Sequence, residues 1–355
     1  MSAAAAQQVP DFDVLIDGAP LPARLRAAVT SVRFEEGLEG AGRVEVQFAN
    51  QGLRLLEEPL LDLDRRLELW LGYRPAAMQG VFAGEITGVE PSFPASGMPT
   101  IALTALDATH RLSASRKERG FPANITDVAI ATIVAAENHL IALPDPSAGR
   151  IGREEPRPRF QHKQSDHQFL QTIAAEHGFE MWVEGNFLNF RLLYPHLPAP
   201  EISLVWGRSL LEFTPRTTSI GQVVGVTFRV WVERLKLQLI ADIGWDGNRL
   251  RFRVRPALYG DQFSTVEATL DLSGVPVDSP VDAIRYALGE LRRRLNSRLT
   301  ARGTAIGDSR FRVGRLIEVS GVGRYSSSTY RLTSVTHTIG TGGYRTSFEV
   351  RKEIV

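Results

Sequence analysis

Along most of this chain apolar and polar residues alternate, and a helical spacing interrupts that pattern in three places. Between residues 11 and 107 the segments DFDVLIDG, AAVTSVRFEE, RVEVQFAN, RRLELWLGY, GVFAGEITGVEP and TIALTALD place apolar side chains at every second position. Successive side chains of a strand point to opposite faces, so this period predicts half-buried β-strands. In RRLELWLGY, Leu67, Leu69 and Leu71 form one face while Arg66, Glu68 and Trp70 form the other. A tryptophan on the second face suits a surface that meets another subunit or domain. Short strands separated by Gly, Pro and charged turns, with no long helix, predict a small antiparallel barrel or sandwich, since closure or stacking removes exposed edges.

The spacing changes beyond Asp107. Asn124 and Asp127 bracket a helix start, and Ile130, Ile133 and Val134 share one side, predicting a helix over 125–138. Residues 144–159, rich in proline and charge, read as an exposed connection. In SDHQFLQTIAAEHGF, Ser165 and Gln168 form a capping box, Phe169, Leu170, Ile173 and Ala174 form the buried stripe, and Gly178 stands at the C-cap. The next segment, FEMWVEGNFLNFRLL, alternates on both sides of Glu184-Gly185-Asn186 and predicts a hairpin packed on that helix. Strand spacing returns in ISLVWG, LLEFTP, QVVGVTFRVWV, LKLQLIADIG, NRLRFRVRP and TVEATLDLS. A third helix is predicted from Ser279, with Pro280 at its first position and Ile284, Leu288, Leu291, Leu295 and Leu299 as its stripe. Arg285, Arg292, Arg293, Arg294 and Arg298 surround that stripe, and Gly303 offers the stop. FRVGRLIEVSGVG, STYRLTSVTHTIG and YRTSFEVRKE close the chain as strands. LELWLGYRPAAMQGVFAGEITGVE and GRLIEVSGVGRYSSSTYRLTSVTH share a loose order of strand, glycine- and tyrosine-bearing turn, and returning strand, so β units at both ends flank mixed α/β material.

Composition narrows the chemistry. The chain has no cysteine, which excludes disulfides, thiolate nucleophiles and cysteine-ligated metals. Its formal charge of +1 provides no general field for a polyanion, and the basic face at 285–302 fits an acidic protein surface better than nucleic acid. The start lacks the basic and apolar regions of a secretory signal, and no apolar window has the length of a membrane helix. None of the histidines makes an i, i+4 helical pair, so no metal site is expected. The pairs Glu35-Glu36, Glu57-Glu58 and Glu154-Glu155 are adjacent residues, which a strand points apart, so they read as surface charge. GVGRYS at 321–326 leads into another strand and lacks the helix terminus of a phosphate loop. No nucleophile elbow is present. Trp70, Trp182, Trp206 and Trp231 are candidates for either core or interface.

In their order and spacing, DVLIDG (13–18), LGY (71–73), FAGEITGVEPSF (82–93), D-x-x-HRL (107–112), QSDHQFLQTIAAEHGF (164–179), GVGRYSSSTYRLTSVTH (321–337) and GGYRTSFEV (342–350) resemble the phage late control D family. Its members are baseplate hub proteins of contractile phage tails and related injection systems, similar to the hub half of type VI secretion spike proteins. The resemblance implies a mainly β fold with two small antiparallel β-barrels plus a mixed α/β domain. It places the first barrel at 1–106, the α/β domain at 107–199 and 232–300, and the second barrel at 200–231 and 301–355. It implies a homotrimeric adaptor, assembled in the bacterial cytoplasm, that joins a hexameric inner tube to a trimeric spike, with baseplate wedge or tape-measure components as further partners. Catalysis, a cofactor, a metal, specific nucleic acid and integral membrane contact are not expected. Structural or interface roles fall to Gly72, Tyr73, Gly84, Ser165, Asp166, Phe169, Leu170, Trp182, Arg292, Arg293, Gly321, Gly323 and Tyr325. The absence of glycine- and valine-rich β-helix repeats after residue 355 implies a separate spike protein. VWVERLKLQLIADIGWDGN departs from the family's pattern near 231. The alternative is a tail-associated protein that binds cell wall or cleaves peptidoglycan, with Trp182 and Glu184 as its test positions.

Overall fold

A computed structural model of the chain describes residues 9–38, 40–144, 158–177, 179–191, 199–217, 225–232, 236–245, 250–256, 269–271, 289, 295–296 and 298–353. Two compact units share the chain: one holds Met1–Arg111, Pro198–Pro215 and Ala301–Val350, the other Leu112–Leu197, Arg216–Thr300 and Arg351–Val355. The first unit begins with β1 (Val9–Ile16), β2 (Ala19–Pro20), α1 (Ala23–Ala28), β3 (Val29–Gly37), β4 (Arg43–Ala49), β5 (Arg66–Arg74), β6 (Gln79–Ser92) and β7 (Thr100–Leu106). Then come α2 (Thr109–Ala114), β8 (Arg116–Phe121), α3 (Asp127–Glu137), β9 (Ile141–Pro144), β10 (Arg159–Ser165), α4 (Asp166–His177), β11 (Glu180–Glu184) and β12 (Phe187–Arg191). The chain returns to the first unit through β13 (Ile202–Val205) and β14 (Leu210–Thr217). It leaves again for β15 (Gly225–Val232), β16 (Leu237–Trp245), β17 (Leu250–Pro256) and β18 (Thr269–Asp271). It ends in β19 (Leu299–Ile306), β20 (Leu316–Ser320), β21 (Ser328–Gly340) and β22 (Gly343–Arg351).

The alternating segments are strands for the expected reason. Leu67, Leu69 and Leu71, Val44, Val46 and Phe48, and Ile101, Leu103 and Ala105 are all buried, while their neighbours in sequence face outward. The two expected barrels are absent. Thirteen strands form one open sheet in the order β14-β19-β22-β21-β3-β4-β7-β6-β5-β1-β2, with β13 joined to β20 and β20 to β21, and among the described residues no sheet closes on itself. The physical reason lies at β3. Its second edge is taken by β21, with Val32 opposite Ile339 through to Gly37 opposite Ser334, so the edge that closure would have covered is covered by the other half of the unit.

The two halves repeat one another. Leu67 lies opposite Gly84 as Ile317 lies opposite Tyr330, and Leu69 opposite Phe82 as Val319 opposite Ser328. The Ile86 N–H donates to Arg65 O and the Leu332 N–H to Arg315 O, both at 2.9 Å. Asp64 and Gly314, both at positive φ, donate to the carbonyls of Ile86 and Leu332, again at 2.9 Å. ITGV at 86–89 therefore occupies the place of LTSV at 332–335, and the loose sequence pattern is a structural repeat. β3-β4-β7-β6-β5 corresponds to β14-β19-β22-β21-β20.

In the second unit, β8 and β10 form an antiparallel ribbon, β11, β12 and β9 a small sheet, and β17-β16-β15-β18 another. The capping box forms as the sequence predicts: Gln168 N donates to Ser165 Oγ and Ser165 N to Gln168 Oε1, each at 3.2 Å. Phe169, Leu170, Ile173 and Ala174 are buried. The start of α3 differs, since Thr126 is the cap and accepts from Ala129 N, and Ile133 is exposed although Ile130 and Val134 are buried. Gly178, residues 145–157 of the expected connection and most of the predicted third helix lie outside the described residues. Of that helix, Leu295 and Asn296 are described and buried. Gly303, expected as its stop, lies inside β19 against the Phe348 ring.

Candidate functional site

The joint between the halves of the first unit is held by charge and by a buried histidine. Glu36 on β3 accepts from Arg312 Nε at 3.0 Å and from the Val313 N–H at 2.7 Å. In β21, Val335, His337 and Ile339 point inward together, so His337 occupies a core position of the strand. Its Nε2 lies 3.0 Å from the Phe311 carbonyl, which can only accept, so Nε2 carries the hydrogen and Nδ1 accepts from Tyr344 Oη at 2.9 Å. The ring stacks on Phe34 with centroids 5.8 Å apart. Burial depresses the imidazole's pKa to about 4, against the hydrogen bond donated to Phe311, and it is neutral at physiological pH. Tyr344 is pushed up, first by burial and then by Asp308.

The sequence-predicted residues fall into separate places. Gly72 lies where an added Cβ would stand 3.3 Å from the Ala77 carbonyl. Tyr73 donates its hydroxyl hydrogen to Gly307 O at 2.8 Å. At Gly84 a Cβ would stand 2.2 Å from Leu106 O, so only glycine allows β6 and β7 to approach this closely. Gly321 and Gly323, at φ of +81° and +85°, shape the turn before β21, and Tyr325 projects from it 90% exposed. Ser165, Asp166, Phe169 and Leu170 come together at the start of α4. Asp166 is the hub of that cluster: its side chain accepts from Lys117 Nζ at 2.6 Å, Arg119 at 3.0 Å, and Asn138 and Gln161 at 2.9 Å. Burial raises its pKa, but these donors outweigh burial and hold the carboxyl below its ordinary value. Trp182 is buried beside Met181, Glu184 is half-buried, and Arg292 and Arg293 lie outside the described residues.

Glu36, read from the sequence as surface charge, is instead largely buried against Arg312; sequence reasoning missed Arg312 and His337, and inward alternation in SVTHTI is the signal that could have located His337. It also missed the exposed aromatics Phe93 and Phe160. Phe160 packs over Gly120, its cross-strand partner, and covers backbone that glycine leaves bare. Asp107, in D-x-x-HRL, accepts from the N–H groups of Gly42 at 2.8 Å and Thr109 at 2.9 Å, tying β4 to the start of α2. Burial, stronger than those bonds, raises its pKa. Among the described residues no cluster of histidine and acidic side chains is placed to hold a metal, and no helix is long and apolar enough to cross a membrane.

The fold is shared with several solved tail proteins. It is similar to the 43 kDa tail protein of prophage MuSo2 from Shewanella oneidensis, with a TM-score of 0.69 and 15% identity over 96% of this chain and 98% of that one. It is similar to the tail protein of Neisseria meningitidis MC58, with a TM-score of 0.67 and 14% identity over 97% and 96%. A third similar structure is the E. coli c3393 protein, at a TM-score of 0.59 and 14% identity over 96% of this chain and 79% of that one. That protein is described as a component of the type VI secretion system with structural similarity to the T4 bacteriophage tail proteins gp27 and gp5. No family model matches the sequence, and no curated protein is found similar to it by sequence.

Proposed function

We propose that this chain is a structural hub subunit of a contractile tail or injection system, of the late control D type. It acts as a homotrimeric adaptor between a hexameric inner tube and a trimeric spike. The observation that carries the reading is the repeat inside the first unit. Two equivalent strand sets per chain let three copies present six equivalent positions to a sixfold tube while keeping threefold symmetry for a spike. The shared fold with tail proteins supports the same assignment. Baseplate wedge or tape-measure components are further partners in this reading, and assembly takes place in the bacterial cytoplasm. Gly72, Gly84, Gly321 and Gly323 act by shaping turns and close strand contacts, Ser165 and Asp166 by fixing α4, and exposed Tyr325 as an interface residue.

The cell-wall alternative loses its test pair, because Trp182 is buried and Glu184 half-buried. Mass photometry and sedimentation over a range of concentrations test the assignment. A species of three times the 39.2 kDa chain mass is expected. A chain that stays monomeric at every concentration, also with tube and spike proteins present, overturns it.

A further inference from the structure

We propose that Trp206, Arg208, Arg324 and Tyr325 form a contact surface, present once in each chain, for an acidic patch on the threefold spike. The proposal deepens the hub reading above and rests on it. Two turns bring these residues together: 206–209 joins β13 to β14, and 321–327 joins β20 to β21. The turns lie side by side. The Trp206 N–H donates to Ser320 O at 3.2 Å, and a Cβ on Gly321 would stand 3.6 Å from the Trp206 Cβ. Both are fixed from within. Val205 N donates to Ser209 Oγ, and Gly207 N to Leu210 O, each at 3.1 Å. Ser327 N donates to Gly323 O at 2.9 Å, and the hydroxyl of the buried Tyr330 donates to Ser326 O at 2.7 Å. Little backbone ordering is left for a partner to impose, which lowers the entropic cost of docking. On this base Trp206 is 60% and Tyr325 90% exposed, so both large aromatic side chains stand mainly in water. Arg208 and Arg324 are exposed as well, and among the described residues neither guanidinium has a carboxylate or hydrogen-bond partner. The acid of β20, Glu318, is engaged by Ser203 Oγ at 3.2 Å. Trp, Tyr and Arg dominate binding at protein interfaces, and unpaired positive charge calls for a negative partner.

The repeat supplies an internal comparison. Leu69 opposite Phe82 matches Val319 opposite Ser328, so the turn between β5 and β6 is the counterpart of 321–327. There Arg74 is held by Asp11 and Asp13, both at 2.7 Å, and 75–78 reads Pro-Ala-Ala-Met. Of the two equivalent turns, only the one after β20 offers unpaired arginine beside exposed aromatic side chains. A sixfold tube asks for six equal contacts, which two unlike turns do not supply, whereas a threefold spike asks for three. Nucleic acid fits less well, since tracking a phosphate backbone takes a row of positive charges and these turns carry Arg208 and Arg324 alone.

Biolayer interferometry of the full chain against purified spike protein, tube protein and an oligothymidylate, at low and at physiological salt, tests the assignment. Arg208→Ala/Arg324→Ala and Trp206→Ala/Tyr325→Ala should each weaken spike binding by about tenfold or more. The arginine variant should also show a weaker salt dependence than the wild type. Ala76→Glu/Ala77→Glu, in the counterpart turn, should bind spike as the wild type does. All the substituted positions are exposed, so melting temperature and trimer mass should not change. Spike binding that neither pair of substitutions weakens, with the trimer intact, overturns the surface and leaves the hub assignment standing. Loss of tube or oligothymidylate binding in place of spike binding also overturns it. A wild-type chain that is monomeric and binds neither spike nor tube overturns both readings.

Discussion

Acid should loosen the first unit at His337. The perturbation is protonation of a ring that is 1% exposed, donates from Nε2 to Phe311 O and accepts at Nδ1 from Tyr344 Oη. A proton on Nδ1 would face the Tyr344 and Thr346 hydroxyls, with Arg312 opposing the charge and Asp308 favouring it. The folded pKa of about 4 lies below the ordinary value of 6.5. Between those values the unfolded chain binds a proton that the native chain excludes, so stability rises with pH across the window. It is lost as pH falls through 6.5 toward 4. At ~1.4 kcal/mol per pH unit, the gap corresponds to roughly 3 kcal/mol. Urea unfolding at pH values from 7.5 to 4.5, in the wild type and in His337→Gln, isolates this contribution because all other titrating groups are common to both. The wild type should lose stability on acidification faster than the variant, by most of that amount at the lowest pH. Parallel curves for the two proteins would refute the assignment of a buried neutral imidazole.

Further consequences concern single contacts. Gly84→Ala places a methyl group on the Leu106 carbonyl and should cost ~3 kcal/mol, read as a lowered thermal midpoint. Ser165→Ala removes one arm of the capping box and should cost about 1 kcal/mol; a double-mutant cycle with Gln168→Ala should show coupling between the two. Asp166→Ala leaves Lys117 and Arg119 facing each other without their buried carboxylate, at ~3 kcal/mol or more in chemical unfolding, and an equal loss on Glu137→Ala would contradict Asp166's central place. Phe160→Ala should destabilise the β8–β10 ribbon by ~1 kcal/mol, with faster amide exchange at Gly120 as its local signature.

Local structure was legible wherever a short-range rule decides it. The alternation of Leu67, Leu69 and Leu71 marks a strand whatever its partner, and Ser165 with Gln168 marks a helix start because both bonds close within one turn. Strand partnership is a long-range property. The edge of β3 can be covered by its own set or by β21, and nothing in VTSVRFEEG distinguishes the two, which is why two closed barrels were expected where one open sheet stands. Trp182 shows the same limit. Its alternation with Met181 along β11 suggests an outward face, yet both side chains are buried. The repeat was faintly visible in ITGV and LTSV, and it became firm only through equivalent hydrogen bonds at Ile86 and Leu332.

The central claim is that copies of this chain assemble through repeated strand sets into a ring with threefold symmetry. Electron microscopy of the purified protein, alone and with tube and spike proteins, measures that directly. Class averages should show closed rings of three chains whose inner rim carries six similar densities. Isolated single chains under every condition, or closed rings of another order, would contradict it.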